Sequence, residues 1–161
     1  MDDLQPRAAQ LLEACKARSW MIATAESCTG GLVAALLTEI AGSSAVVERG
    51  FVTYSNEAKT ELIGVPVELI STYGAVSAEV ALAMAEGAIG RSRAELAVSI
   101  TGIAGPGGAT PTKPVGLVHF GLARRGETTR HLERRYGDLG RTQVRRRAVE
   151  DALALLESVV L

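Results

Sequence analysis

WMIATAESCTGGLVAALLTEI, residues 20–40, changes character halfway along. Its first six residues, WMIATA, read as a short buried strand. After the glycine pair, TGGLVAALLTEI reads as a helix that is apolar nearly all round, which would bury it between layers. A strand turning tightly into a helix is the opening of an α/β unit. The corner itself holds Ser27 beside Cys28, two nucleophile types, followed by Thr29, Gly30 and Gly31. It is either a nucleophile elbow or an ordinary helix start in which Ser27 or Thr29 accepts an amide hydrogen bond.

On either side of this corner the pattern alternates. Residues 4–18 place Leu4, Ala8, Leu11, Leu12 and Cys15 at helical spacing. AGSSA breaks the second helix, VVERGFVTYS reads as a second strand, and NEAKTELIG as a short helix stopped by Gly64 with Pro66 beyond. PVELISTYG gives another helical turn or two, and Ser77 caps the helix AEVALAMAEGAIG. AELAVSITGIAGPGG then runs a strand into a glycine-rich loop. PVGLVHFGLARRG and ETTRHLERRY pair as a hairpin, and residues 141–160 form a long closing helix. The expected fold is a three-layer α/β/α domain over residues 1–161, with a mostly parallel, mixed sheet. In such sheets ligands gather at the carboxyl ends of the strands, so ESCTGG, YSNEAK and TGIAGPGG should converge on one crevice.

Composition narrows the functional classes. The chain has 161 residues, 47% of them hydrophobic, and a net charge of −1. It is long enough for a core without metal or disulfide staples. The charge balance argues against general nucleic-acid binding, although the last third is arginine-rich and one or two arginines can face an anionic ligand. No apolar run reaches membrane-spanning length, and MDDLQPRAAQ lacks the features of a signal peptide. Cys15 and Cys28 make no metal-type spacing. The expectation is a cytoplasmic, metal-free, cofactor-free protein.

Catalytic templates can be tested one at a time. The chain has two histidines, His119 and His131, both inside the hairpin rather than in the converging loops. His119 reads as a packed strand residue and His131 as exposed, so a histidine base for Ser27 is not expected. GIAGPGG is neither a dinucleotide fingerprint nor a P-loop, although amides in a concave glycine turn can bind an anion. Lysine remains. To act as a base, Lys59 must lower its pKa from about 10.4 toward 7, a change worth roughly 4.6 kcal/mol, which requires burial or a nearby cation. The competing reading of Lys59 is a solvated helix lysine near Glu61.

TAESCTGG, AGSSA, GFVTYSNEAK, GAVS, ITGIAGPGG and KPVGLVHF occur here in this order, and as a set they closely resemble the CinA C-terminal domain family from about residue 8 to residue 158. The resemblance implies that family's fold and its amidase activity, hydrolysis of the carboxamide of nicotinamide mononucleotide. It also implies Ser27 as nucleophile and Lys59 as proton acceptor, with Tyr54 and Ser44 in the same hydrogen-bonded site and Thr101 at the crevice. Cys28 is the rival nucleophile, since a thiol at a helix start is easily ionised. On the substrate side stand the amides at Cys28, Thr29, Gly30 and Gly31, together with Asn56, Gly102 and Gly105. The candidates for holding the phosphate are the amides of Gly30 and Gly31, the Gly102–Gly108 loop, and Arg141 or Arg145 of the closing helix. GDLGRTQVRRRA carries two more residues before Arg141 than the family segment, and GPGG lacks the acid that many relatives place after the proline. A competence and DNA-damage label in the family gives the second functional class, a non-catalytic nucleotide-binding or regulatory module. Relatives self-associate, so a homo-oligomer is expected.

Overall fold

The computed structural model describes all 161 residues. Five strands form one sheet, β1 (Ile22–Glu26), β2 (Val47–Val52), β3 (Leu96–Gly102), β4 (Leu117–Arg124) and β5 (Arg130–Arg135), in the order β2-β1-β3-β4-β5. β1 pairs in parallel with β2 and β3, whereas β3–β4 and β4–β5 are antiparallel. Four strands therefore run the same way and β4 alone is reversed. The chain leaves β1 toward one side of the sheet and reaches β3 on the other, which opens a crevice at their carboxyl ends.

Six helices cover the two faces. α1 (Gln5–Ala17), α2 (Leu32–Thr38) and α6 (Arg141–Val160) lie on one, and α3 (Asn56–Ile63), α4 (Val67–Tyr73) and α5 (Ala78–Gly90) on the other. The larger core lies under α1, α2 and α6, where Leu11, Val98, Phe120, Val149 and Leu153 interlock. The smaller joins Ala23, Ala25 and Ala97 of the sheet to Ile63, Val80 and Met84. β1 is buried at every position, as a central strand covered on both faces must be. β5 is an edge strand of mostly exposed arginine, histidine and glutamate, residues that discourage further strand pairing.

α2 differs from expectation. It spans seven residues beginning at Leu32, with Gly31 (φ 103°) as its left-handed N-cap. Val33, Leu36 and Leu37 are buried, while Ala35 and Thr38 are exposed. It is therefore a half-covered outer helix: alanine tolerates either environment, so an alanine-rich run overstates burial. Ser55 and Ser77 cap α3 and α5 by accepting from the amides of Ala58 and Val80, at 3.0 and 3.2 Å. No helix is long and apolar enough to cross a membrane.

Candidate active site

The loops after β1, β2 and β3 do meet. They line a cavity of about 230 Å³ whose walls include Ser27, Cys28, Tyr54, Asn56, Lys59, Thr101, Gly102 and Arg141. Ala104, after β3, and Ala75 and Val76, from the link between α4 and α5, complete it.

Ser27 follows β1 directly, and its amide donates to the Ile100 carbonyl of β3 at 2.9 Å, so its backbone is tied to the sheet. Lys59 sits on the first turns of α3, and Nζ lies 3.1 Å from Ser27 Oγ. The Lys59 side chain is buried, at 1% exposure, which excludes the solvated reading. Around Nζ stand the carbonyl oxygens of Thr53, Tyr54 and Ser55 at 2.9, 3.3 and 3.4 Å, all neutral. Burial pushes the lysine below its ordinary range, the largest effect on it, with the Glu57 carboxylate acting the other way. A neutral amine here can donate to the carbonyls while its lone pair accepts the Ser27 proton.

Cys28 is packed into the larger core, and burial pushes its thiol up to about 12. It is a thiol at neutral pH and a poor nucleophile. The amides of Cys28 and Thr29 donate to nothing in the chain. The Cys28 amide, on a residue that lines the cavity, is available to a developing oxyanion beside Ser27, whereas Thr29 is fully buried outside that lining.

The expectation that these amides open a helix fails. α2 starts three residues later, and its amides at Val33 and Ala34 already donate to the Glu26 carboxylate, at 2.9 and 3.0 Å. The Thr29 hydroxyl donates to the same carboxylate at 2.7 Å, so Thr29 is fully buried and faces away from the cavity. Glu26 was not singled out from the sequence. The signal was present: a carboxylate at the end of a buried strand needs donors, and Thr29 three residues on is one.

The remaining residues separate. Tyr54 reaches the rim, 59% exposed, and its hydroxyl accepts from Arg141 at 3.0 Å. Arg141 also donates to the Gly105 carbonyl at 3.0 Å and so straps the mouth from α6 to the glycine loop. Arg145 donates to the carbonyls of Cys28 and Thr29, at 3.0 and 3.1 Å, and holds the elbow from outside the cavity lining. Thr101 lines the cavity while its hydroxyl donates to the Ala75 carbonyl at 2.8 Å. Asn56 is exposed at the cavity edge. Gly30 and Gly31 lie beyond the lining at the back of the elbow.

Ser44 is not brought to the site. It is exposed in a short 3-10 turn ahead of β2, at the amino end of that strand, whereas Tyr54 and Lys59 follow its carboxyl end. Six residues of strand, roughly 20 Å at 3.3 Å each, lie between. The two histidines stack on each other across the hairpin, with His119 Nδ1 2.8 Å from His131 Nε2, and neither lines the cavity.

The CinA C-terminal domain model matches residues 4–160. The nicotinamide-nucleotide amidohydrolase PncC of Escherichia coli strain K12 is 52% identical, the match covering 96% of this chain and 93% of that protein. A competence-damage inducible protein of Symbiobacterium thermophilum is also 52% identical over 89% of this chain, but the match spans only 35% of that longer protein. Among solved structures, the competence/damage inducible protein CihA from Agrobacterium tumefaciens superposes with a TM-score of 0.95 at 53% identity, covering 97% of this chain and 94% of that one.

Proposed function

Since the chain belongs to the CinA C-terminal domain family, we propose that it is a nicotinamide-nucleotide amidohydrolase, converting nicotinamide mononucleotide to nicotinate mononucleotide and ammonia by a serine–lysine mechanism. The observation that carries this reading is the 3.1 Å contact between Lys59 Nζ and Ser27 Oγ inside the cavity, in a chain that matches the Escherichia coli amidohydrolase over nearly its full length.

Lys59, neutral, takes the Ser27 proton as Oγ attacks the carboxamide carbon. The oxyanion that forms faces the free amide of Cys28, the residue after the nucleophile. Lys59, now an ammonium, gives its proton to the departing nitrogen, which leaves as ammonia. The nicotinoyl ester on Ser27 is then hydrolysed by a water that Lys59 deprotonates, and Ser27 recovers its proton. The positive pyridinium of the substrate adds to burial in keeping the amine uncharged. Arg141 at the mouth is the group placed to meet the 5′-phosphate, exchanging its two neutral acceptors for an anion. The product is a form that re-enters nicotinamide-cofactor synthesis, which makes the reaction one of salvage.

Ammonia release from nicotinamide mononucleotide by the purified chain, followed from pH 6 to 10, tests the reading. Release that disappears in Ser27→Ala is expected. No release anywhere in that range would leave a nucleotide-binding module instead.

A further inference from the structure

The Ser27 amide is tied to β3, but the turn after it contains two left-handed glycines, Gly30 (φ 60°) and Gly31 (φ 103°), and only two hydrogen bonds of its own, from the Gly30 amide to Ser27 and from the Leu32 amide to Thr29. Something outside the turn has to fix it. The residue just before the nucleophile is Glu26, which is fully buried and forms no ion pair with a basic side chain. All three of its hydrogen bonds go to the far side of the turn. Oε1 accepts from the Thr29 hydroxyl at 2.7 Å and the Val33 amide at 2.9 Å, and Oε2 from the Ala34 amide at 3.0 Å. Its backbone is held as well: the Glu26 carbonyl accepts from the Thr53 amide of the β2 loop at 2.8 Å.

Resting on the serine–lysine reading above, we infer that Glu26 is the positioning residue of the elbow. Its carboxylate ties the end of β1 to the start of α2 and holds the intervening residues so that Ser27 and Cys28 face the cavity. Arg145 supports the same turn from its other side, through the carbonyls of Cys28 and Thr29. A trans peptide sets its carbonyl and amide in opposite directions, so an anchored Cys28 carbonyl aims the Thr29 amide away from Arg145. Glu26 meanwhile fills the α2 terminus, so the anion-binding task passes to the Cys28 amide, which lies next to the nucleophile.

The chemistry of the anchor is specific. A carboxylate offers acceptors on both oxygens, and three donors use them. Glutamine keeps the shape but turns one oxygen into a donor facing another donor. Glu26→Gln should therefore fold and bind substrate yet lose alignment at the reacting atoms, where about 1 Å of misplacement costs on the order of 100-fold in rate.

The experiment measures kcat and KM for nicotinamide mononucleotide in Glu26→Gln, Thr29→Val, Thr29→Ser and Ser27→Ala, with circular dichroism to establish that each is folded. Expected are a kcat lowered by roughly 10–100-fold in Glu26→Gln with KM within about threefold, a smaller fall of the same kind in Thr29→Val, and rescue in Thr29→Ser, which restores the hydroxyl. The pH dependence of kcat/KM should keep its midpoint in every active variant, because Lys59 sets it. If folded Glu26→Gln runs at native kcat, or if it fails to fold and Thr29→Val runs at native kcat, the inference is overturned while the mechanism stands. If Ser27→Ala is itself active, the mechanism falls.

Discussion

Lys59 Nζ and Ser27 Oγ stand 3.1 Å apart although the residues are 32 positions apart in sequence. The contact exists because parallel pairing of β1 and β2 brings both strand ends to the same edge of the sheet. A guanidinium cannot give up its proton near neutrality, so Lys59→Arg should fail as completely as Lys59→Ala. Each should lower kcat for ammonia release by at least about 100-fold, the low end of what a positioned base contributes.

The pH dependence follows from the same burial. Only the neutral amine can accept the serine proton, so kcat/KM should climb with pH and level off, its midpoint below the ordinary lysine range. The sign for stability is the same. With the folded pKa depressed, the unfolded chain binds more protons between the depressed and ordinary values, and stability rises with pH across that window. Urea midpoints of the native chain relative to Lys59→Met, compared at successive pH values, should show this rising difference.

Cys28 should be dispensable for chemistry. Its thiol, pushed up to about 12 by burial, is not ionised at working pH. Cys28→Ala is expected to retain most of the activity, whereas Ser27→Ala abolishes it. Rates of ammonia release check both, and the reverse outcome would reassign the nucleophile.

Arg141 should matter in proportion to the phosphate. Arg141→Ala is expected to lower kcat/KM for the mononucleotide by at least about 10-fold, the size of one charge-assisted contact. For the riboside, which lacks the phosphate, the same substitution should change little. Equal effects on the two substrates would remove Arg141 from phosphate binding.

Gly87 tests the packing beneath the site. Glycine to alanine inside a helix normally stabilises by roughly 0.5–1 kcal/mol. Here a Cβ would come within 1.9 Å of the Ile63 carbonyl oxygen at the end of α3. The sign should reverse, with Gly87→Ala destabilising by about 2–3 kcal/mol in a urea melt. Because α3 carries Lys59, activity should fall with it.

Much of this was written in local pattern. The alternation of strand and helix, the serine cap of α5, and the long closing helix all follow from spacing and turn chemistry, which act over a few residues. The meeting of the three loops followed from one rule about strand ends. What escaped reading was set by tertiary packing. The half-exposure of α2 depends on how many neighbours cover it, and alanines do not record that. Ser44 sits close in sequence to a strand that leads to the site, yet at its opposite end; a motif match carries no direction along the strand. Glu26 went unremarked because its partners lie across the turn. Arg145 resembles a ligand for the substrate in sequence and proves to be a clamp on the elbow.

That clamp has a consequence for synthesis. α6 leaves the ribosome after every strand of the sheet, yet its Arg141 and Arg145 reach back to residues 28, 29, 54 and 105. A nascent chain that lacks it already holds Ser27, Lys59 and the Glu26 anchor, but not the two arginines that grip the elbow and the mouth. The outer grip on the elbow and the mouth therefore arrives only when that last helix docks.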